Sequence, residues 1–494
     1  MGEATVANQL VASFAYQVYL YVTLLLATLL LTFLTKHMKK RLLVTISLLL
    51  MALTTAVNVV VAQSTSPALL SVGAAKVDIT PALNELKKPY FGINDNIYSR
   101  AVVVNNGTTT VALVSVDIGG INDEMADRIL AKITATSGIP TRNILITATH
   151  THSVPFGISG DAFESKIASA VKLAKDKLQP ARVGYGEGVS YINVNRNIID
   201  PDTRRWWEGP NYDGPSDKTV AVVTFESLGG KPIAIYYNYA MHGVISGMFD
   251  QVSGDVPGAT SRYLENNFDD ETIALWSTGA CGDQNPIYYQ QTYDLREIRV
   301  KEYAKRGIDI SNKMPPGGEG LDRKDPKVIK LMEQQKQMLL SMGQLLGEEV
   351  LHTMRGIKRK VSNPIVQTDQ RIINCPGRKR LDEGRAGYAG TYADADSIPL
   401  RLGLIRLGDI ALTAVNGEVF NPISTRLKKE SPFANTLMTT LTNGYARSGY
   451  IPHDAAFGTY TFEVVSSRLK PGFAENAIVN GLLDMMYASL QVKP

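Results

Sequence analysis

Cysteine is nearly absent from this chain, with only Cys281 and Cys375 among 494 residues. At most one disulfide is available, so a cysteine-rich scaffold is excluded. Cys281 adjoins Gly282-Asp283 and reads as a small buried thiol. Histidine is scarce, with six residues, and tryptophan scarcer, with three. An excess of one charge is also missing. The net charge is +4, and Lys36, Lys39, Lys40 and Arg41 against Glu3 place +3 of it within residues 1–62. The nearly neutral remainder has no basic cluster interleaved with aromatics, so no nucleic-acid partner is expected. The short run Arg378-Lys379-Arg380 reads as a solvated loop. No internal repeat, low-complexity tract or clear domain boundary interrupts the chain. Hydrophobic residues at 44% and charged residues at 20% suit an ordinary globular body with a large core.

Long apolar runs occur only near the start. Met38-Lys39-Lys40-Arg41 opens a basic segment, residues 42–61 are apolar, and Val60-Val61-Ala62 offers a small-residue cleavage site before Gln63. That is the pattern of a secretory signal peptide over residues 38–62, read from an internal methionine. Residues 14–34 form a second run long enough to cross a bilayer. Residues 1–37 are therefore either a start-site artefact or a membrane span. In the second case residues 36–41 would be a positive cytoplasmic loop. Both readings carry residues 63–494 across the membrane, either secreted or periplasmic, or anchored by the apolar segments.

Beyond residue 71 strand and helix signals alternate. Asn105-Asn106-Gly107 lies between Ala101-Val102-Val103-Val104 and Thr110-Val111-Ala112-Leu113-Val114, a hairpin pattern. Residues 218–225 and 232–237 make a second hairpin around Gly229-Gly230. Apolar spacing predicts helices over 123–137, 162–177 and 325–354. Residues 292–327 are charged, contain Pro315-Pro316-Gly317-Gly318, and read as an insertion near a site entrance. Hairpins beside helices predict a mixed α/β or α+β fold with mixed sheets and flanking helices.

The most informative residues are Thr149-His150-Thr151-His152-Ser153, which follow the apolar run Ile144-Leu145-Ile146-Thr147-Ala148. Continued as a strand, this places His150 and His152 on one face. Imidazole is the commonest metal ligand and acid–base group near neutral pH. The same grammar recurs twice. His242 ends the run from Ala234 to Met241, and Glu418 follows Ile410-Ala411-Leu412-Thr413-Ala414-Val415-Asn416-Gly417. Three polar groups at the ends of apolar strands suggest one rim of a sheet, where α/β proteins place their sites. Two His and one Glu form a known set for catalytic zinc, with a position left open for water.

With these motifs the chain resembles the neutral/alkaline non-lysosomal ceramidases. The resemblance runs through most of residues 71–477. It rests on Val77-Asp78-Ile79-Thr80-Pro81, Val114-Ser115-Val116-Asp117 with Ile118-Gly119, and Ala148-Thr149-His150-Thr151-His152-Ser153. Further matches are Asn195-Arg196, His242 with Ser253-Gly254-Asp255, Gly282-Asp283 with Pro286, Gly417-Glu418, and Tyr450. The resemblance implies that family's catalytic domain, here without its C-terminal immunoglobulin-like domain. It implies a zinc amidase cleaving ceramide to sphingosine and a fatty acid, with an association to membrane surfaces through its lipid substrate. His150, His242, Glu418 and Tyr450 would ligate Zn2+, with Tyr445 as the alternative to Tyr450. His152 would stabilise the oxyanion and Arg196 would contact the polar head of the substrate.

One departure bears on mechanism. The family's Gly-Asp-x-Ser-Pro stretch reads Gly282-Asp283-Gln284-Asn285-Pro286 here, so Asn285 stands where the nucleophilic serine belongs. An amide is no nucleophile but can hydrogen-bond an oxyanion. Water activated by zinc would then attack the acyl carbon. Asp283 is the nearest carboxylate for a base, or else it caps the turn. Asp255 and Asp117 are candidates to orient ligand histidines. The alternatives are a catalytically impaired lipid-binding pseudoenzyme, and a membrane-tethered interaction protein that merely carries a metal.

Overall fold

The computed structural model describes residues 69–155, 157–311 and 314–491, with Val22 alone before them. The expected signal peptide and N-terminal extension lie outside these residues. The described residues from 69 to 491 form one compact unit.

Its centre is a nine-stranded mixed sheet. The strands Ile273–Thr278, Pro232–Tyr239, Thr219–Ser227, Gln179–Val189, Ser71–Asp78, Tyr98–Asn105, Thr110–Val116 and Ile144–Ala148 follow in that order, and Lys360–Val361 pairs with Gln179–Val189. Both outermost pairs are parallel and the rest antiparallel. Both anticipated hairpins are present, as Tyr98–Asn105 with Thr110–Val116 and Thr219–Ser227 with Pro232–Tyr239. A second sheet orders Val366–Arg380, Tyr392–Leu407, Ile410–Val415 and Asn435–Thr439.

Valine-rich strands without polar alternation need apolar cover on both faces, and the packing supplies it. Val103, Val114 and Val116 pack with Met125, Ile129 and Val171 of the helices Asp123–Ser137 and Asp161–Asp176. Their neighbours Val102, Val104 and Leu113 turn the other way, against Ile405, Leu412 and Leu437 of the second sheet. The outer face of that second sheet, including Leu402 and Val415, is covered by Ile478, Leu482 and Met486 of the helix Ala474–Gln491. The layers therefore run helix, sheet, sheet, helix. Each fully buried Val, Leu or Ile contributes about 1.5–3 kcal/mol relative to exposure.

Helix ends follow local chemistry. The Asn122 side chain accepts from Met125 N and caps Asp123–Ser137, while Gly138 ends it at φ 72°. The long helix Pro326–Gly356 begins behind Asp325, whose carboxylate accepts from Lys327 N.

Strand ends from both sheets are tied together. Thr278 Oγ1 donates to Ala148 O at 2.8 Å, and Ala148 N donates to Leu441 O. Gly279 N donates to Tyr239 O, Thr440 N to Thr278 O, and Leu441 N to Gly417 O. The segments leaving this junction carry His150, His242, Cys281 and Glu418.

Candidate metal centre

The strand Ile144–Ala148 stops before the histidines. His150 has φ 63°, a left-handed conformation, so strand alternation does not align it with His152. The backbone is held there because Thr149 N donates to Val116 O and His150 N to Ile118 O. The two rings still meet, with Nε2 atoms 3.5 Å apart. Nor do the polar groups share one sheet rim. His150 and His242 leave the large sheet, whereas Glu418 follows Ile410–Val415 of the second.

The convergence is close. Glu418 Oε2 lies 3.2 Å from His150 Nε2 and 3.0 Å from His242 Nε2. His150 Nδ1 is 2.5 Å from Gly119 O, and His242 Nδ1 is 3.0 Å from Gln284 O. Carbonyl oxygens only accept, so both Nδ1 atoms carry the proton and both Nε2 lone pairs face inward. With both imidazoles neutral, two lone pairs and a carboxylate oxygen meet at one point. A cation there relieves that repulsion, and the donor set could hold a metal ion. Burial, and then the Arg196 charge, push the His242 pKa down to about 4. Burial and the neighbouring histidines likewise hold His152 well below its ordinary range. Neutral imidazole is the ligating form.

Cys281 belongs to the same cluster. Its Sγ and one ring nitrogen each of His150 and His242 lie within 4.8 Å of one another. Gly282 makes this approach possible, because a Cβ there would sit 2.7 Å from Glu418 O. Cys375 is buried and free elsewhere.

The two tyrosine candidates take different partners. The Tyr445 hydroxyl donates to Glu418 Oε1. The Tyr450 hydroxyl accepts from Arg196 Nη2 at 3.1 Å, and the Glu418–Val419 and Tyr450–Ile451 strands pair in parallel. Arg196 is 5% exposed. Nε donates to Glu463 Oε1, Nη1 to Asn285 Oδ1, and Nη2 to Gly282 O and the Tyr450 hydroxyl, while Nη1 also lies 3.4 Å from His242 Nε2. Glu463, from Phe462–Ser466, escaped the sequence reading because nothing local marks it.

Asn285 is 1% exposed; its Oδ1 accepts from Arg196 and its Nδ2 donates to Glu208 Oε1 at 3.2 Å. Asp283 receives Asn421 N at 2.8 Å and Asn195 Nδ2 at 3.0 Å, one on each carboxylate oxygen. Burial pushes its pKa up to about 7. Asp117 and Asp255 do not orient the histidines. Asp117 is drawn to the buried Arg100 at 2.9 Å. Asp255, turned by its φ of 53°, accepts from Ser246 N and Oγ. The histidine rings are oriented by the Gly119 and Gln284 carbonyls instead.

His152, half-buried, faces a cleft of about 830 Å³ walled by Tyr90, Ile158, Phe163 and Pro316, with Lys88 among its lining residues. Pro316 belongs to the charged insertion. That segment is held down where Arg299 donates to Pro315 O and Glu319 O, and where Asp250 accepts from Gly318 N.

Residues 71–292 match the family model described as neutral/alkaline non-lysosomal ceramidase, N-terminal. These residues belong to that family. Over 278 residues the chain is 25% identical to the neutral ceramidase of Pseudomonas aeruginosa, covering 47% of this chain and 41% of that protein. Over 170 residues it is 27% identical to neutral ceramidase A of Dictyostelium discoideum, covering 29% of this chain and 24% of that one. The alignments thus span about two-fifths or less of these curated relatives. A solved structure titled ceramidase complexed with C2 superposes with a TM-score of 0.64 at 15% identity, covering 86% of this chain and 76% of the other. The Pseudomonas aeruginosa neutral ceramidase crystal structure gives 0.63 at 16% identity, covering 85% and 74%. At such identities the likeness establishes the fold, which is the mixed α and β architecture expected from the sequence.

Proposed function

We propose that this chain is an exported zinc-dependent amidohydrolase acting on an N-acyl bond, with ceramide, the substrate implied by its relatives' names, as the first candidate. The observation that carries the reading is the meeting of two imidazole lone pairs with the Glu418 carboxylate. His150, His242 and Glu418 would hold zinc, and the family resemblance offers Tyr450 or Tyr445 as a fourth ligand. Bound zinc supplies a Lewis acid and lowers the pKa of a water to about 7. The chain's own groups do the rest. Gly119 and Gln284 carbonyls fix the imidazole tautomers, and Tyr445 binds the carboxylate oxygen turned away from the histidines. His152, neutral and at the cleft, is placed to donate to a developing oxyanion, and the apolar cleft walls take an acyl chain. Arg196 positions Asn285 and Tyr450. Asp283, with both oxygens engaged, holds the turn and is poorly placed to act as a base.

The second reading, a lipid-binding protein without turnover, is favoured by one residue. Asn285 replaces the family's nucleophile, and both ends of its amide are occupied. Metal content and fatty-acid release from ceramide and short N-acyl amides separate the two. His242→Ala should strip the metal and abolish hydrolysis; stoichiometric zinc in that variant defeats the ligand assignment. Zinc-loaded parent that releases no acid from any substrate establishes the pseudoenzyme. Secreted protein beginning at Gln63 supports export, whereas an uncleaved, detergent-requiring chain supports the anchor.

A further inference from the structure

The geometry points to Cys281 as a sulfur ligand of this centre, in the place the family resemblance gives to a tyrosine phenol. The inference rests on the metal reading above, and it adds which atoms complete the shell.

Four observations converge. First, Cys281 Sγ lies within 4.8 Å of ring nitrogens of both His150 and His242, the two groups whose lone pairs already face a common point. Second, the thiol is wholly buried on the turn after Ile273–Thr278. That turn is pinned where Gly279 N donates to Tyr239 O, close before His242, and where Gly282 N donates to Val419 O, next to Glu418. Third, both glycines are required for this closeness. A Cβ at Gly279 would lie 3.0 Å from the Ala240 backbone, and one at Gly282 would lie 2.7 Å from Glu418 O. The chain has been brought as near to the other donors as backbone contact allows. Fourth, the Tyr445 hydroxyl is held on Glu418 Oε1, the oxygen turned away from the imidazoles, and the Tyr450 oxygen accepts from the Arg196 guanidinium.

A tetrahedral zinc, with about 2.3 Å to sulfur and about 2.1 Å to nitrogen, separates those donors by roughly 3.6 Å. Closing onto the ion therefore asks about an ångström of side-chain movement. On coordination the thiol proton passes to solvent and the sulfur binds as thiolate. A set of two imidazoles, one carboxylate and one thiolate favours zinc or cobalt and disfavours magnesium or calcium, which prefer oxygen shells.

The test uses the purified full chain stripped of metal and loaded with Co2+ alone. The parent should develop an intense near-ultraviolet sulfur-to-cobalt charge-transfer band, in addition to the weak visible bands of a bound cobalt. Tyr450→Phe should keep that band and Cys281→Ser should lose it. Zinc affinity of Cys281→Ser should fall by more than the about 10–100-fold that loss of an outer partner costs. X-ray absorption of the zinc form should show one sulfur neighbour. Parent protein that binds Co2+ with visible bands but no sulfur band, or a zinc shell of nitrogen and oxygen only, overturns the assignment whether or not the serine variant folds. Parent that takes up neither Co2+ nor Zn2+ overturns the metal reading together with this one. Fatty-acid release is measured separately, so a silent but sulfur-ligated centre would defeat only the hydrolase.

Discussion

At the scale of single residues, the meaning of Asn285 decides what the protein can do. If its amide donates to a developing oxyanion, Asn285→Ala should slow acyl release by roughly 10²–10³-fold, the usual loss for one such donor. Unchanged turnover removes Asn285 from the chemistry. Asn285→Ser restores the hydroxyl of the family motif and should raise amidase activity on ceramide. Mass spectrometry should find no acyl group trapped on the parent. Much of this centre was legible in the chain. His150, His242 and Glu418 each follow an apolar run, and a polar group there is a local signal. Glu463 carries no such signal, and Cys281, which also follows an apolar run, reads only as a small buried thiol. Their importance lies in distances across the fold, to imidazoles and to Arg196, that no neighbouring residue encodes. Arg196 was identified, but its internal partners can be counted only in three dimensions.

At the scale of elements, close helix packing is the feature most exposed to substitution. The helices Asp255–Asn266 and Pro326–Gly356 approach over Gly343 and Gly347, and a Cβ at Gly343 would stand 2.7 Å from the Ala259 Cβ. Gly343→Val should destabilise the fold by about 1–3 kcal/mol through overpacking. Urea unfolding should show a lower midpoint with an unchanged slope. A midpoint equal to the parent's means that the helices can part at no cost. Helices and hairpins were legible because period and turn chemistry are local. The register of the histidine loop was not. The Val116 and Ile118 carbonyls, contributed by another strand and its loop, help hold His150 at positive φ.

At the scale of the whole molecule, buried carboxyls give stability a sign with pH. Burial raises the Asp255 pKa above its ordinary value, despite the bonds from Ser246 and Val256. The folded state then binds more protons than the unfolded one between the two values. This contribution is present at low pH and is lost as pH rises from about 4 through the folded value. Asp255→Asn keeps an acceptor and tolerates the positive φ. Melting temperatures across that range should therefore fall less steeply with pH in Asp255→Asn than in the parent. Parallel curves show that the carboxyl is ionised throughout. The layered order of sheets was not written in either half of the chain, since Val102 and Val104 do not say that their cover is a second sheet formed some 300 residues later. The junction of strand ends has a kinetic side. It ties Ala148 to Thr278 and Leu441, and Thr278 to Thr440, so its contacts span 130 to 293 residues of chain. Closures that long are slow to form, which puts the junction late in folding. An ion that binds only the assembled junction would act as a latch on the finished fold, and its removal should first loosen the centre and not the outer helices.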